Sequence, residues 1–239
     1  MSILCISDGL GVDIELCPKW PTILSILLKK KIVNKSIIGA GNEIILTILN
    51  QELEKNSYDY VIIQWTSPDR LDVLCDNRWL AIAKNDPVYY FNLHNIAGNT
   101  WWSSSGSKSK EVLQYKSLIT ADQFKMRSYT NMLAACYLLE KRSIPYTFTL
   151  SYDLDIFPEL IDKNWAWHKM NKGMRDYSTV SKFSAFDDPT CARPHPLVHL
   201  DWLKNILIPS VGETIDEKKY EKLEASMIER TKNNLILQK

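Results

Sequence analysis

The chain has 239 residues, of which 45% are hydrophobic, and this composition is sufficient to bury one substantial core. Lysine and arginine total 29 against 28 acidic residues, so no positive excess indicates a nucleic-acid partner or an anionic membrane surface. The 5 cysteines are scattered and include no C-x-x-C pair, which argues against a disulfide framework and a zinc knuckle. We therefore expect a globular protein without a cofactor or a metal site.

The beginning of the chain predicts cytoplasmic synthesis without a signal peptide. Residues 1–6 form a short apolar run with no basic lead, and the chain reaches Asp8 too soon for the apolar region of a secretory signal. No segment supplies the roughly 20 uninterrupted apolar residues that a membrane span needs. A contact with a membrane is therefore not expected.

The first third of the chain alternates between strand and helix patterns. Residues 3–6 read as a short buried strand, and a helix from Pro21 ends in the lysines at 29–31. A second strand follows at 32–36, and residues 60–65 form a continuous apolar strand, which is typical of a sheet covered on both faces. This alternation predicts an α/β fold with a doubly wound, mainly parallel central sheet, arranged as a three-layer α/β/α sandwich.

The remainder of the chain is less regular. Residues 66–122 mix aromatic and polar residues without a clear period, which favours an insertion over a second domain. A helix at 123–141 leads into a strand at 146–150, and another helix is predicted at 196–208. We assign residues 1–211 to one α/β domain that carries the insertion.

Residues 212–239 form a helical extension in this interpretation. Tyr220, Leu223 and Met227 give the extension a narrow apolar stripe, and its other faces are dense with lysine and glutamate. Such a helix either packs on the outside of the domain or reaches a second subunit. An oligomer formed through this helix is therefore one of the alternatives.

Ligands of an open parallel sheet bind beyond the carboxyl ends of its strands. The loops expected there contain the segments 7–9, 39–42 and 65–70, and a late segment at 193–196 is expected to join them. Arg70 could contact an anionic or sugar ligand, or form a surface ion pair with Asp69. The ligand-binding candidates in and near these segments are Asp8, Asn42, Trp65, Arg70 and His199.

The order of these segments resembles the SGNH hydrolase family, also called GDSL-type esterases and lipases, whose fold is flavodoxin-like. Ser7-Asp8-Gly9 stands where the family has Gly-Asp-Ser, and the segment 34–39 resembles the block that ends in an oxyanion-hole glycine. Trp65-Thr66-Ser67-Pro68 stands in place of Gly-x-Asn-Asp, and the segment 192–196 in place of Asp-x-x-His-Pro. The resemblance implies that His195 is the catalytic histidine, and that Gly9, Gly39 and Ser67 occupy the oxyanion-hole positions.

Two departures from the family pattern bear on activity. Gly9 has no nucleophilic side chain, and Ala192 cannot orient an imidazole. We therefore expect a catalytically degenerate protein that acts as a structural or glycan-binding component. The Trp20-Pro21 start of a helix, the segment 65–68 and the His-Pro-x-x-His pattern of 195–199 resemble bacteriophage variants of the family, so other virion proteins are expected partners.

An active esterase or deacylase on acylated carbohydrate is the alternative. Its nucleophile would be Ser7, one strand period before Gly9, or Cys191, with Asp187 or Asp188 orienting His195. Each of these residues also has a structural interpretation, as a hydrogen-bonding, turn or loop residue.

Other candidates keep two interpretations as well. Asp8 suits the capping of a strand-to-helix turn, and His195 and His199 are better explained as one inherited and one structural histidine than as a metal pair.

Aromatic rings in loops either bind sugar rings or form the core of the insertion. The tryptophans concerned are Trp65, Trp79, Trp101, Trp102, Trp165 and Trp167.

Overall fold

A computed structural model of the protein describes residues 2–9, 11–12, 18–77, 93–103, 110–151, 181–182 and 195–237. Its strands are β1 (Ser2–Ile6), β2 (Lys31–Asn34), β3 (Tyr60–Trp65), β4 (Asp72–Leu74), β5 (Leu93–Ile96), β6 (Asn99–Ser103) and β7 (Tyr146–Leu150). Its helices are α1 (Trp20–Leu28), α2 (Asn42–Lys55), α3 (Lys110–Ser117), α4 (Ala121–Lys141), α5 (Pro196–Trp202) and α6 (Glu217–Leu237). A π-helical turn at Leu203–Leu207 and a short turn at Ile208–Ser210 continue α5.

The main sheet has four parallel strands in the order β2-β1-β3-β7. In its register, Ile3 of β1 lies opposite both Ile32 of β2 and Tyr60 of β3, and Val61 of β3 lies opposite Tyr146 of β7. The predicted α/β character and the mainly parallel sheet are therefore confirmed.

The boundary between α1 and β2 differs from the prediction. Lys29 adopts a left-handed backbone with φ of 54°, which ends the helix before the lysine run, and Lys31 is already part of β2. The strand then ends at Asn34 instead of residue 36, although the Lys35 N–H still donates to Cys5 O at 2.8 Å. The error arises because lysines suit both the end of a helix and an edge strand.

The period of two along each strand divides the core into two clusters. Leu4 and Ile63 belong to a cluster that includes α2 and α4, whereas Ile3 and Ile62 belong to a cluster with α1, α5 and α6. All four side chains are almost completely buried. Both faces of β3 are therefore covered, and this burial explains the continuous apolar run of the strand.

Helix α1 is tied to the sheet by a tryptophan at its start. Trp20 is fully buried, and its Nε1 donates to Gln64 Oε1 of β3 at 3.0 Å. Its ring also makes an edge contact with Trp202 of α5, with centroids 6.2 Å apart. The Trp-Pro start of α1 therefore links three elements of the core.

The predicted insertion contains a second sheet. Its strands are antiparallel in the order β4-β6-β5, and β5 and β6 form a hairpin. Both turn residues of the hairpin, Ala97 and Gly98, have positive φ, as tight hairpins require. The sequence did not predict these strands because they are only 3 to 5 residues long and carry polar residues, so no period of two stands out.

A buried carboxylate joins the second sheet to the main domain. Asp72 of β4 accepts hydrogen bonds from the backbone N–H groups of Gly41 and Ile44, both at 2.9 Å, and so caps the start of α2. A Cβ at residue 41 would lie 2.5 Å from both carboxylate oxygens. Glycine is therefore required at this position by the close approach of Asp72.

The C-terminal helix packs on the protein's own core. Tyr220 and Met227 of its apolar stripe are only 2% and 8% exposed and belong to the cluster that contains α1 and α5. This arrangement supports the interpretation in which α6 packs on the outside of the domain. None of the described helices combines the length and the apolar character needed to cross a bilayer.

The close approach at residue 41 predicts the effect of Gly41→Ala. The added methyl group would displace the Asp72 carboxylate from two backbone donors, and we expect the free energy of unfolding to fall by about 1–3 kcal/mol. Chemical denaturation measures this change. In an Asp72→Ala background the same substitution should cost much less, and an equal cost in both backgrounds would contradict the assignment.

The environment of Asp72 also predicts a pH dependence. Burial and the nearby Glu43 carboxylate raise the pKa of Asp72 from 3.8 to about 7, although the bonds from Ile44 and Gly41 act in the opposite direction. Arg127 faces the same region and pairs with Glu43 at 2.6 Å. Between these two pH values the folded state holds a proton that the unfolded state has lost, so the free energy of unfolding should fall as the pH rises.

Denaturation of the wild type and of Asp72→Asn at several pH values measures this contribution. The variant cannot titrate at residue 72, so the difference in unfolding free energy between the two proteins should change steadily between about pH 4 and pH 7. A difference that stays constant over this range would show that Asp72 has an ordinary pKa in the folded protein.

Candidate functional site

The carboxyl ends of the main-sheet strands bring polar residues to one edge. Ser7 and Asp8 follow β1, Thr66 follows β3 and Ser151 follows β7. The chain order reverses between β1 and β3, because β2 lies on one side of β1 while β3 and β7 lie on the other. Such a reversal marks the usual ligand position of an open α/β sheet. We call this region the switch-point site.

Asp8 is the centre of the switch-point site and is only 2% exposed. Its Oδ2 accepts a hydrogen bond from Thr66 Oγ1 at 2.9 Å, and its Oδ1 accepts a longer bond of 3.4 Å from Ser151 Oγ. Arg70 Nη1 lies 2.9 Å from the same Oδ2. The carboxylate therefore joins the ends of β1, β3 and β7.

Arg70 pairs with Asp8 and not with its sequence neighbour. Its Nη1 also donates to the Ala40 carbonyl at 3.0 Å, and its side chain is only 15% exposed. The neighbouring Asp69 accepts a hydrogen bond from Ser67 instead. A surface ion pair between Asp69 and Arg70 is thus not found, and the guanidinium is part of the buried network.

Asn42 holds the first residue after β3 in place. Its Oδ1 accepts from the Thr66 N–H at 3.0 Å, and its Nδ2 donates to the Thr66 carbonyl at 3.2 Å and to Ser128 Oγ at 2.9 Å. The side chain is 2% exposed. Asn42 acts as a connection between α2, β3 and α4, and its polar atoms are occupied by the protein.

Ser7 has the wrong surroundings for a nucleophile. Its side chain is fully buried, and Oγ bonds the Asp8 carbonyl at 3.0 Å and Ser36 Oγ at 3.1 Å. A Cβ at Gly11 would lie 2.1 Å from this oxygen, so the backbone passes directly against it. No described imidazole bonds the hydroxyl, and an acyl group would have to displace the chain to reach it.

The three oxyanion-hole candidates have different environments. Gly9 lies in the turn after β1 and is partly exposed, whereas Gly39 is buried with φ of 80°, a left-handed backbone that suits glycine. Ser67 is partly buried, and its hydroxyl donates to Asp69. Of the three, only Ser67 offers a side-chain donor, and that donor is already engaged.

His195 is the N-cap of α5. Its Nδ1 accepts from the Leu197 N–H at 3.2 Å, and its Nε2 lies 3.4 Å from Thr231 Oγ1 of α6. The Thr231 hydroxyl donates its proton to the Met227 carbonyl, so it accepts from Nε2. These contacts place the ring proton on Nε2. A catalytic base of the triad type needs the opposite tautomer, with Nδ1–H bonded to a carboxylate and a lone pair on Nε2.

The direction of α5 places His195 toward the carboxyl edge. The segment after α5 is held to the end of α1 by a Lys30–Glu213 ion pair, and Lys219 Nζ donates to the Leu27 carbonyl at 3.2 Å. The end of α1 lies at the amino edge, because the chain enters β2 there. His195, at the other end of α5, therefore lies on the side of the sheet where Asp8 is found.

Several remaining candidates are buried or lie outside the described residues. His199 and Trp65 are completely buried, and Trp65 makes an edge contact with Phe148 at 5.4 Å. Trp102 is also buried, and Trp101 is partly exposed. These rings pack within the protein. The candidates outside the described residues are Trp79, Trp165, Trp167, Asp187, Asp188, Cys191 and Ala192.

The described cysteines are poor nucleophiles. Burial raises the pKa of Cys5 and Cys136, and burial and the Asp76 charge raise that of Cys75 to about 11. All three are therefore neutral thiols at neutral pH. Within the described ranges, no group of three or more His, Cys, Asp or Glu side chains could hold a metal ion.

Sequence reasoning missed the hydroxyl residues that complete the network. Ser36, Ser128 and Ser151 bond Ser7, Asn42 and Asp8, respectively. Ser36 and Ser151 follow β2 and β7 closely, so their positions after predicted strands were a usable signal. Ser128 lies in the middle of α4, where no sequence signal distinguishes a buried serine from a surface one.

No protein-family model, curated protein or solved structure matches this chain.

The Asp8 contacts predict a graded loss of stability. Thr66→Val removes the 2.9 Å bond to a buried carboxylate at nearly constant volume, and we expect the free energy of unfolding to fall by about 1–3 kcal/mol. Ser151→Ala removes only the 3.4 Å bond and should cost less. Urea denaturation of both variants compares the two costs, and the reverse order would contradict the dominance of the Thr66 bond.

Proposed function

We propose that the chain is an SGNH-hydrolase-like protein that has lost ester hydrolysis and serves as a structural or glycan-binding component of a bacteriophage virion. The strand order β2-β1-β3-β7 and the two core clusters support a three-layer, flavodoxin-like arrangement, in which a reversal of chain order separates β1 from β3. The motif segments that follow β1 and β3 lie at the carboxyl edge of this sheet, beside the reversal, and this position supports the proposed relationship.

The observation that carries the loss of hydrolysis is the state of the Ser7 hydroxyl. Gly9 stands where the family has its nucleophile, and the nearest upstream hydroxyl is fully buried and bonds Ser36. Acyl transfer through serine requires a base within hydrogen-bond distance of the hydroxyl. Ser7 has no such base among the described residues, so it does not replace the missing nucleophile.

The arrangement of His195 supports the same conclusion. Its Nδ1 accepts a backbone N–H, so it cannot at the same time donate to an orienting carboxylate. Its Nε2 is directed to Thr231 of α6. The imidazole contributes to the start of α5 and to the docking of α6, which is a structural role in place of the catalytic one.

The segments that resemble bacteriophage variants are also structural in this protein. Trp20 ties α1 to β3, Trp65 is enclosed in the core, and the pair His195 and His199 begins α5. The resemblance of these segments to the bacteriophage variants therefore supports a fold that this protein shares with those variants. A scaffold that keeps its core and loses its nucleophile suits a particle component better than a hydrolase.

An esterase or deacylase on acylated carbohydrate is the second candidate. The observation that favours it is the position of His195 toward the carboxyl edge, where a displaced nucleophile could approach it. Cys191 and the aspartates at 187 and 188 lie outside the described residues, so this candidate depends on them. It requires the imidazole to release Thr231 or Leu197 and change its tautomer.

Hydrolysis assays separate the two candidates. We expect no turnover of p-nitrophenyl acetate above that of His195→Ala, and no labelling by a fluorophosphonate probe, because the Ser7 hydroxyl, two residues before the family's nucleophile position, is buried. Ser7→Ala and Cys191→Ala serve as matched controls for the two alternative nucleophiles. Turnover that disappears in His195→Ala and in one of these variants would overturn the proposed loss of hydrolysis.

Two further measurements test the positive part of the proposal. Retention of the purified protein on a glycan array would support carbohydrate binding, and detection of its peptides in purified virions by mass spectrometry would support a particle role. A protein that is inert in hydrolysis, binds no glycan and is absent from particles would contradict the proposed function.

A further inference from the structure

A polar pocket of about 430 Å³ lies away from the switch-point site, at the amino ends of β1 and β2 and the C-terminal end of α2. Its walls carry three lysines and one buried carboxylate, and we call it the lysine pocket. The polar residues of its wall include Lys31, Lys35, Glu52, Lys55, Asn56 and Tyr58.

The fold explains why three lysines converge there. Lys31 and Val33 of β2 alternate along the strand and so point to the same face, and Lys35, directly after the strand, continues this alternation. Val33 packs against the cluster that contains α2. Lys55 is the last residue of α2, which ends beside them. Because β2 is an edge of the main sheet, none of the described strands covers the lysines.

The carboxylate in the pocket is already satisfied. Glu52 is 8% exposed and accepts from Tyr58 Oη at 2.5 Å and from Asn56 Nδ2 at 3.1 Å, and Lys35 Nζ lies 3.0 Å from its other oxygen. Although burial acts in the opposite direction, the bonds from Tyr58 and Lys35 lower the pKa of Glu52. Its negative charge is therefore matched by Lys35.

The other two lysines are not matched. Lys31 and Lys55 form no ion pair or side-chain hydrogen bond with any described residue, and both are exposed at the pocket. Three lysines against one glutamate leave an excess of two positive charges in one concave region. A concave site lined by one sign of charge concentrates ions of the opposite sign.

We propose that the lysine pocket binds the phosphate or sulfate group of a small ligand, with Lys31 and Lys55 supplying the compensating charge. Ammonium groups bind such oxyanions as point charges, without the planar geometry that arginine needs. Lys35 is positioned by Glu52, and the pocket volume leaves space for a group larger than the anion itself. The site is independent of the proposed function, because it uses none of the residues at the switch-point site.

A second role of the same lysines makes a different prediction. Lysines on an edge strand prevent pairing with other chains, and a lysine at a helix end complements the helix dipole. Those roles need no pocket and give no saturable binding of an anion. Binding measurements therefore separate the two interpretations.

The test is a titration of the ¹⁵N-labelled full chain at constant ionic strength. The probes are inorganic phosphate, sulfate and glucose 6-phosphate, and glucose is the neutral control. We expect saturable shifts of backbone amides in β2 and at the end of α2 with the anions and none with glucose. Tighter binding of glucose 6-phosphate would identify a phosphorylated small ligand, and equal binding of inorganic phosphate would identify a free anion.

Charge variants give the sharper readout. Lys31→Gln with Lys55→Gln should weaken phosphate binding at least about tenfold, because it removes both unmatched charges. Glu52→Gln should tighten binding, because it removes the negative charge and releases Lys35. Lys218→Gln with Lys222→Gln, on the exposed side of α6, makes the same change of net charge elsewhere and should leave binding unchanged.

Three results would overturn the proposal. The first is the absence of saturable shifts with all three anions, and the second is an equal loss of binding in the α6 control variant. The third is weaker binding in Glu52→Gln while circular dichroism shows an intact fold. The esterase and glycan assays are unaffected by these outcomes, so the two proposals fail separately.

Discussion

Burial of the Asp8 carboxylate is the constraint on which the carboxyl edge of the sheet depends. A carboxylate that is 2% exposed must be compensated by donors or cations, because an isolated charge in the interior is very costly. Thr66 and Arg70 from the loop after β3 and Ser151 from the end of β7 supply that compensation. The ends of β1, β3 and β7 must therefore keep their relative positions for Asp8 to remain buried.

The same constraint explains why this edge differs from an open catalytic cleft. Hydrolysis of an ester needs a free hydroxyl, a base with an available lone pair and donors that wait for the oxyanion. Here Ser7 bonds Ser36, His195 bonds Leu197 and Thr231, and the Ser67 hydroxyl donates to Asp69. Groups of the chemical types that hydrolysis needs are present, but each already forms hydrogen bonds with other residues of the protein. This mutual satisfaction favours stability, and it supports the proposed loss of hydrolysis.

Elements with a strong hydrophobic pattern were predictable, whereas pairings between polar side chains were not. The strand at residues 60–65 was predicted at its observed bounds, because burial on both faces requires a continuous apolar run. The strands of the second sheet were missed, because they are short and polar. The sequence offered Arg70 either a ligand or an ion pair with the neighbouring Asp69, yet its observed partner is Asp8, a distant buried carboxylate that needs compensation. The residues next to a charged side chain in the sequence do not show which distant charge it pairs with in the folded protein.

The two edges of the main sheet therefore differ in how completely their charges are compensated. At the carboxyl edge, where α/β folds usually bind ligands, Asp8 and Arg70 neutralise each other inside a hydrogen-bonded network. At the amino edge, Glu52 matches Lys35, and the charges of Lys31 and Lys55 are left over around a concave surface. The usual position of ligands in α/β folds predicts a binding site at the first edge, whereas the uncompensated positive charge predicts a site for an anion at the second. Since a charged ligand binds where the protein has not already supplied the opposite charge, the lysine pocket is the better place to look for an anion.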